Sequence, residues 1–131
     1  MDINIETAFI KAFFPKNRRE RLLYELNSPK HRGECLLNLQ HTADSACKTH
    51  FEYPVFMEET LDLLRSLGAP ATAYILSRNE EYDGRTLLLK DIYRDAELAK
   101  YLTGMICIPD KLAILSCEDT GSILLSRNLT K

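Results

Sequence analysis

"GAPATAYILS", residues 68–77, is where the chain changes its period. Upstream, apolar residues recur at helical spacing. From Ala71 onward they come in short runs. "ATAYILS", residues 71–77, is bounded by Pro70 and the polar Arg78-Asn79-Glu80. It is rich in strand formers and too short for a buried helix, so it predicts a strand.

Downstream, "RNEEYDG" is a loop whose Asp83-Gly84 suits a tight turn. "LKDIYRDAELAKYL", residues 89–102, predicts a helix through Ile92, Ala96, Ala99 and Leu102, ended by Gly104. "MICIP", "KLAILSC" and "SILLSRN" then read as three strands, the last two joined through Glu118-Asp119-Thr120-Gly121.

Upstream, "MEETLDLLRSLG" places Met57, Leu61 and Leu64 at helical spacing and Gly68 where a helix terminates. Asn4 is the expected cap of a helix over 5–13, with Phe9, Ala12 and Phe13 on one face. A second helix spans 16–27 around Leu22, Leu23 and Leu26. Ser28 and Pro29 open a third, which runs to about Gln40. Residues 42–56 lack a period and read as a loop. The expected fold is α+β: N-terminal helices, about 1–69, followed by a mainly strand part, about 70–131. The strands form an antiparallel sheet of about four, with helices packed on one face.

A chain of 131 residues fits one domain, residues 1–131. Its net charge of −2 gives no overall pull toward nucleic acid or an anionic membrane. No stretch approaches the roughly 18 apolar residues that span a bilayer. Met1-Asp2-Ile3-Asn4 does not read as a signal peptide. A cytoplasmic protein is expected, with Cys35, Cys47, Cys107 and Cys117 as thiols. No phosphate-cradling glycine loop, dinucleotide fingerprint, serine elbow or HExxH occurs, and no cofactor is expected.

The three histidines and two of the four cysteines fall within residues 29–50. His31, Cys35, Cys47 and His50 read H-x3-C-x11-C-x2-H, ligand types that suit zinc. The order is not that of the usual finger, the apolar residues between the pairs are missing, and a chain of this length needs no metal to fold. No metal site is therefore expected. A cysteine nucleophile would need a base in reach. His41 is six residues from Cys35, on the opposite face of a helix, and Cys107 could meet a histidine only through the fold.

Residues 16–32 are the most basic segment, with Lys16, Arg18, Arg19, Arg21, Lys30 and Arg32. Two helices broken at Asn27-Ser28-Pro29 could imitate a helix-turn-helix. The second, however, is short, partly apolar and carries Gly33. Arg19, Arg32 and Lys111 are the candidate anion ligands. In "LSRNEEYDG" the oxygens lack calcium-loop spacing, so a charged loop is the reading there.

"RLLYELNSPKHRGECLLNLQHTAD", "AYILSRNEEYDGRTLLL", "GMICIPDKLAILSCED" and "ILLSR" resemble segments of a group of small uncharacterised bacterial proteins of unknown function. The resemblance covers most of the chain and carries no activity. It draws attention to Arg32, His41, Asp44, Ser77, Asp83, Gly84, Cys107, Pro109 and Lys111. The chain departs from that pattern at Asp110, where a glycine would follow Pro109, and at Ile114 and Leu115, where aromatics would stand.

Three functions remain. One is a protein-binding or regulatory module, with an exposed last strand open to a partner or to a second copy as a homodimer. Another is an enzyme or small-anion receptor whose pocket gathers Arg32, His41, Asp44 and Ser77, with Cys107 a further catalytic candidate. The third is nucleic-acid binding through residues 16–32, expected to be absent at physiological salt.

Overall fold

A computed structural model describes residues 1–46, 51–53, 58–92, 94–117 and 121–126 of the chain. Within these, side chains are described except at 40–46, 51–53, 58–60, 96, 97, 99, 117 and 121–123. The elements in order are α1 (Ile3–Phe13), α2 (Lys16–Leu26), α3 (Arg32–Ala46), β1 (Phe51–Tyr53), α4 (Glu58–Ser66), β2 (Thr72–Ser77), β3 (Thr86–Leu88), α5 (Leu89–Ile92), α6 (Ala96–Tyr101), β4 (Leu102–Ile108), β5 (Leu112–Cys117) and β6 (Gly121–Ser126). The class is α+β, with helices leading and strands following.

Asp2, not Asn4, caps α1. Its carboxylate accepts the backbone N–H groups of Asn4 at 3.0 Å and Ile5 at 3.2 Å. It also places a negative charge at the positive end of the helix. Phe9 packs on Phe13 and Phe14, with ring centroids 5.8 and 5.7 Å apart. Pro15 then caps α2 with extended backbone. Ser28 and Pro29 form a turn rather than the first helical turn, because the Ser28 carbonyl accepts from both His31 and Arg32. α3 therefore starts at Arg32, and it continues past Gln40 to Ala46. Of the expected loop over 42–56, residues 42–46 are helical and 51–53 are a strand; 47–50 and 54–57 lie outside the described residues.

The sheet is antiparallel throughout, in the order β1-β6-β5-β4-β2-β3. The four expected strands are β2, β4, β5 and β6. Two three-residue strands enlarge the sheet: β3 on β2 and β1 on β6. β6 is thus an interior strand, not the exposed edge expected of it. The expected helix over 89–102 is divided. α5 is a single turn, and α6 starts at Asp95, whose carboxylate accepts the Leu98 N–H at 3.1 Å. Gly104 does not stop a helix; it lies within β4. The ladder between β2 and β4 is irregular at Leu76/Ser77. Near it, Thr103 Oγ1 is buried with no hydrogen-bond partner among the described residues.

Helices cover both faces of the sheet, not one. Tyr74, Leu76, Ile106, Ala113, Leu115 and Leu125 face a core built with α1, α2 and α3. Ala73, Ile75, Met105, Ile114 and Leu124 face a second core with Leu61 and Leu64 of α4, Leu89 and Ile92 of α5, and Leu98 of α6. A strand buried on both faces is apolar at every position. Tyr74-Ile75-Leu76 and Met105-Ile106-Cys107 are such runs.

A Cβ at Gly104 would lie 2.7 Å from the Ile114 carbonyl oxygen and 2.7 Å from Leu115 Cδ2. Backbone cannot give way cheaply there. Gly104→Ala is expected to destabilise the chain by roughly 1–3 kcal/mol, read as a lower midpoint in urea unfolding with an unchanged slope.

Candidate functional site

The polar residues that converge most closely do so where α1, the start of α3 and the β2–β3 turn meet. Glu6 stands in the first turn of α1, on the buried stripe it shares with Phe9, Ile10 and Phe13. Arg32 opens α3. Asp83 sits in the turn after β2, which Gly84 closes at φ +80°, its N–H donating to the Ile75 carbonyl at 2.9 Å. Tyr74 comes from β2, on the sheet face beneath α1.

Arg32 is buried and uses every N–H it has. Nε donates to Asp83 Oδ2 at 2.6 Å, and Nη2 donates to Asp83 Oδ1 at 3.1 Å and Glu6 Oε2 at 2.7 Å. Nη1 donates to Glu6 Oε1 at 2.8 Å and to the Leu26 carbonyl at 3.0 Å. Both carboxylates are gripped bidentately, the strongest form of this pairing. Tyr74 Oη donates to Glu6 Oε2 at 2.6 Å and accepts the Asp2 N–H at 2.9 Å. Asp83 Oδ1 also accepts the Ser77 N–H at 3.1 Å. Burial works to lower the Arg32 pKa, but the hydrogen bonds and charges of Glu6 and Asp83 outweigh it and hold the guanidinium above its usual range.

A cleft of about 470 Å³ opens beside this cluster, with Arg32, Ser77 and Asp83 on its walls and Lys30, Arg78 and Glu80 around them. Arg32 and Ser77 are thus brought together. Ser77 Oγ donates to the Tyr101 carbonyl at 3.1 Å and accepts the Asn79 N–H at 3.0 Å. His41 and Asp44 stand on α3, where their side chains lie outside the described residues. The backbone at 41 is nine residues past Arg32, about 13.5 Å along the helix axis.

The remaining candidates are dispersed. Cys107 belongs to the core on the other face of the sheet. Lys111 is in the β4–β5 turn, at the end of β4 opposite the Leu102 that pairs with Ser77. Arg19 Nε donates to the Phe14 carbonyl at 3.0 Å, near the start of α2. Of the H-x3-C-x11-C-x2-H set, His31 Nδ1 is 2.9 Å from Ser28 Oγ, its ring lies 5.9 Å from that of Tyr24, and Cys35 is buried in the core beneath α3. Cys47 and His50 lie outside the described residues. Among the described residues no three potential ligands gather around a point that could hold a metal ion.

Neither described thiol is poised to attack. Burial, then the charge of Glu25, pushes Cys35 up to about 12. Burial alone pushes Cys107 up to about 12. Burial first, and then the hydrogen bond to Glu6, also raises the Tyr74 hydroxyl. Glu6 and Tyr74 were not among the residues singled out from the sequence. The signal for Glu6 was present: a carboxylate at helical spacing from Phe9, Ile10 and Phe13 stands on the apolar face, and a buried carboxylate needs a cation. Tyr74 carried no such mark. Comparisons with family models, with curated proteins and with solved structures gave no match.

Arg32→Met would leave Glu6 and Asp83 buried without a cation. The expected loss is roughly 3–5 kcal/mol of folding stability, measured by urea unfolding. A loss below about 1 kcal/mol would mean that Arg32 is not holding the scaffold. Alkali gives a second check. Tyr74, Cys35 and Cys107 stay protonated in the folded chain at a pH where the unfolded chain ionises. Their contribution is whole below the unfolded values, about 8.5 for a thiol and about 10 for a phenol, and is lost as pH rises past them. Stability should therefore fall from about pH 9 upward, and Tyr74→Phe should flatten the upper part of that fall in unfolding curves recorded across the range.

Proposed function

We propose that the chain is a small non-catalytic module that works by binding another protein. The observation that carries this reading is the closure of the Glu6–Arg32–Asp83 cluster. Each of the five guanidinium N–H groups meets an acceptor supplied by the chain itself. A receptor for a small anion keeps donors free for its ligand, and a general acid or base keeps a proton path to its substrate. The convergent groups here are spent on holding helices to sheet. The two described thiols are buried and protonated, which suits core packing rather than nucleophilic attack. A protein partner needs only a shaped surface, and the chain has exposed apolar side chains to offer at Tyr24 and Leu88.

Binding of nucleic acid through the basic segment is the weaker reading. Arg19 hydrogen-bonds backbone, Arg21 pairs with Glu25 at 3.2 Å, and Arg32 is buried. Lys16, Arg18 and Lys30 are what remains for phosphates, few contacts against screening at physiological salt.

The test is recovery of tagged full-length chain from its native host at physiological salt, followed by nuclease treatment. A stoichiometric protein partner that survives the nuclease is the expected result. A chain recovered as a bare monomer, or one whose companion is destroyed by nuclease, counts against the module.

A further inference from the structure

The sheet ends on β3, and the hydrogen bonds fix which way that strand turns its backbone. The Leu89 N–H donates to the Ala71 carbonyl at 2.9 Å, and the Ile75 N–H donates to the Arg85 carbonyl at 2.8 Å. With Ala73 opposite Leu87 in the same register, residues 85, 87 and 89 are the ones bonded to β2. An antiparallel ladder alternates, so Thr86 and Leu88 point their N–H and C=O groups away from the sheet. The Leu88 carbonyl heads the first turn of α5 and is taken by it. The Thr86 N–H, the Thr86 C=O and the Leu88 N–H remain, and none of the three meets a partner among the described residues.

At the Leu88 end of this edge lies a groove of about 390 Å³. Its apolar lining comes from Ala69, Pro70, Ala71, Leu88 and Leu89, and Leu88 is 41% exposed. Two cations, Arg65 at the end of α4 and Lys90 in α5, line it as well. Both are exposed, and among the described residues neither is in an ion pair. Free backbone donors and acceptors, an apolar recess and two unpaired positive charges together describe one kind of occupant.

We infer that the β3 edge is a docking site for an extended segment of a partner protein, which adds a strand beside Thr86 and Leu88, sets an apolar side chain into the groove, and brings a carboxylate to Arg65 and Lys90. This rests on the reading of the chain as a protein-binding module and names the partner chemistry. Strand addition supplies affinity through main-chain hydrogen bonds and specificity through alternate side chains. The charges decide against a second copy. The β3 strand of a second copy, Thr86–Leu88, has no carboxylate to bring to Arg65 and Lys90, and Asp83 just before it is already held by Arg32.

The probe is a displayed library of unstructured peptides, selected on the full chain alone, whose winners are then titrated against Thr86→Pro. Proline removes the outward N–H without breaking a bond of the ladder, and it is tolerated on an edge for that reason. The expected winners pair an apolar residue with an aspartate or glutamate. They lose at least about tenfold in affinity for Thr86→Pro, and the same for the Arg65→Glu/Lys90→Glu double variant. They also protect the Thr86 and Leu88 amides from hydrogen exchange. Peptides that bind Thr86→Pro as well as the parent, winners without a carboxylate, or a parent chain that dimerises through an edge Thr86→Pro splits would each overturn the inference. Where Thr86→Pro fails to fold, the charge-reversal pair decides alone. A protein partner from the native host that binds both variants undiminished sinks the edge and leaves the module standing, whereas absence of any partner sinks the module itself.

Discussion

The structure depends on a charge taken out of water. Arg32 is buried at the opening of α3, and a guanidinium there is tolerable only if its surroundings replace the water it gave up. Glu6 and Asp83 do so from α1 and from the β2–β3 turn, and Tyr74 and the Leu26 carbonyl complete the set. These groups come from four parts of the chain. Each must arrive in register, so one guanidinium fixes the depth of α1, the starting point of α3 and the path of the turn together. Gly84 belongs to the same constraint. Its positive φ closes the turn, and a side chain there would run into the Met1 sulfur.

The sheet beneath is covered twice. α1, α2 and α3 lie on one face and α4, α5 and α6 on the other. Strands sandwiched this way cannot alternate apolar with polar residues, and they leave solvent only at the ends and edges of the sheet. The edges are also where the sheet is shortest, three residues in β1 and in β3. Short edges limit unwanted pairing while keeping a few backbone groups available.

The order of the elements was legible because period is a strong signal. The break at Pro70 was real, and β2, β4, β5 and β6 all fell where short apolar runs predicted them. β1 and β3 were not legible. Three residues are too few to show a period, and Thr86-Leu87-Leu88 runs directly into α5. The continuation of α3 to Ala46 was hidden because His41, Thr42 and Ser45 break the apolar stripe, although helices tolerate all three. The second covered face was readable in principle from Tyr74-Ile75-Leu76, where three successive buried residues leave no side for water. Of the candidate site, Arg32 and Ser77 were found and do share a wall of one cleft. What each does was not legible. An arginine on a sequence line looks equally ready for a ligand or for a carboxylate of its own chain, and the choice rests on Glu6 and Asp83, 26 and 51 residues away.

That separation has a consequence for how the chain is made. As residues emerge from a ribosome, α1, α2 and α3 exist well before Asp83 does. Until it arrives, Arg32 has only Glu6 of its two carboxylates, and Ile106, Ala113, Leu115 and Leu125 of the sheet face beneath the helices come later still. The early segment has reason to stay open to water, and a fragment ending near Ala46 should not hold a fixed shape. Acquisition of the native state is thereby tied to the arrival of the turn after β2.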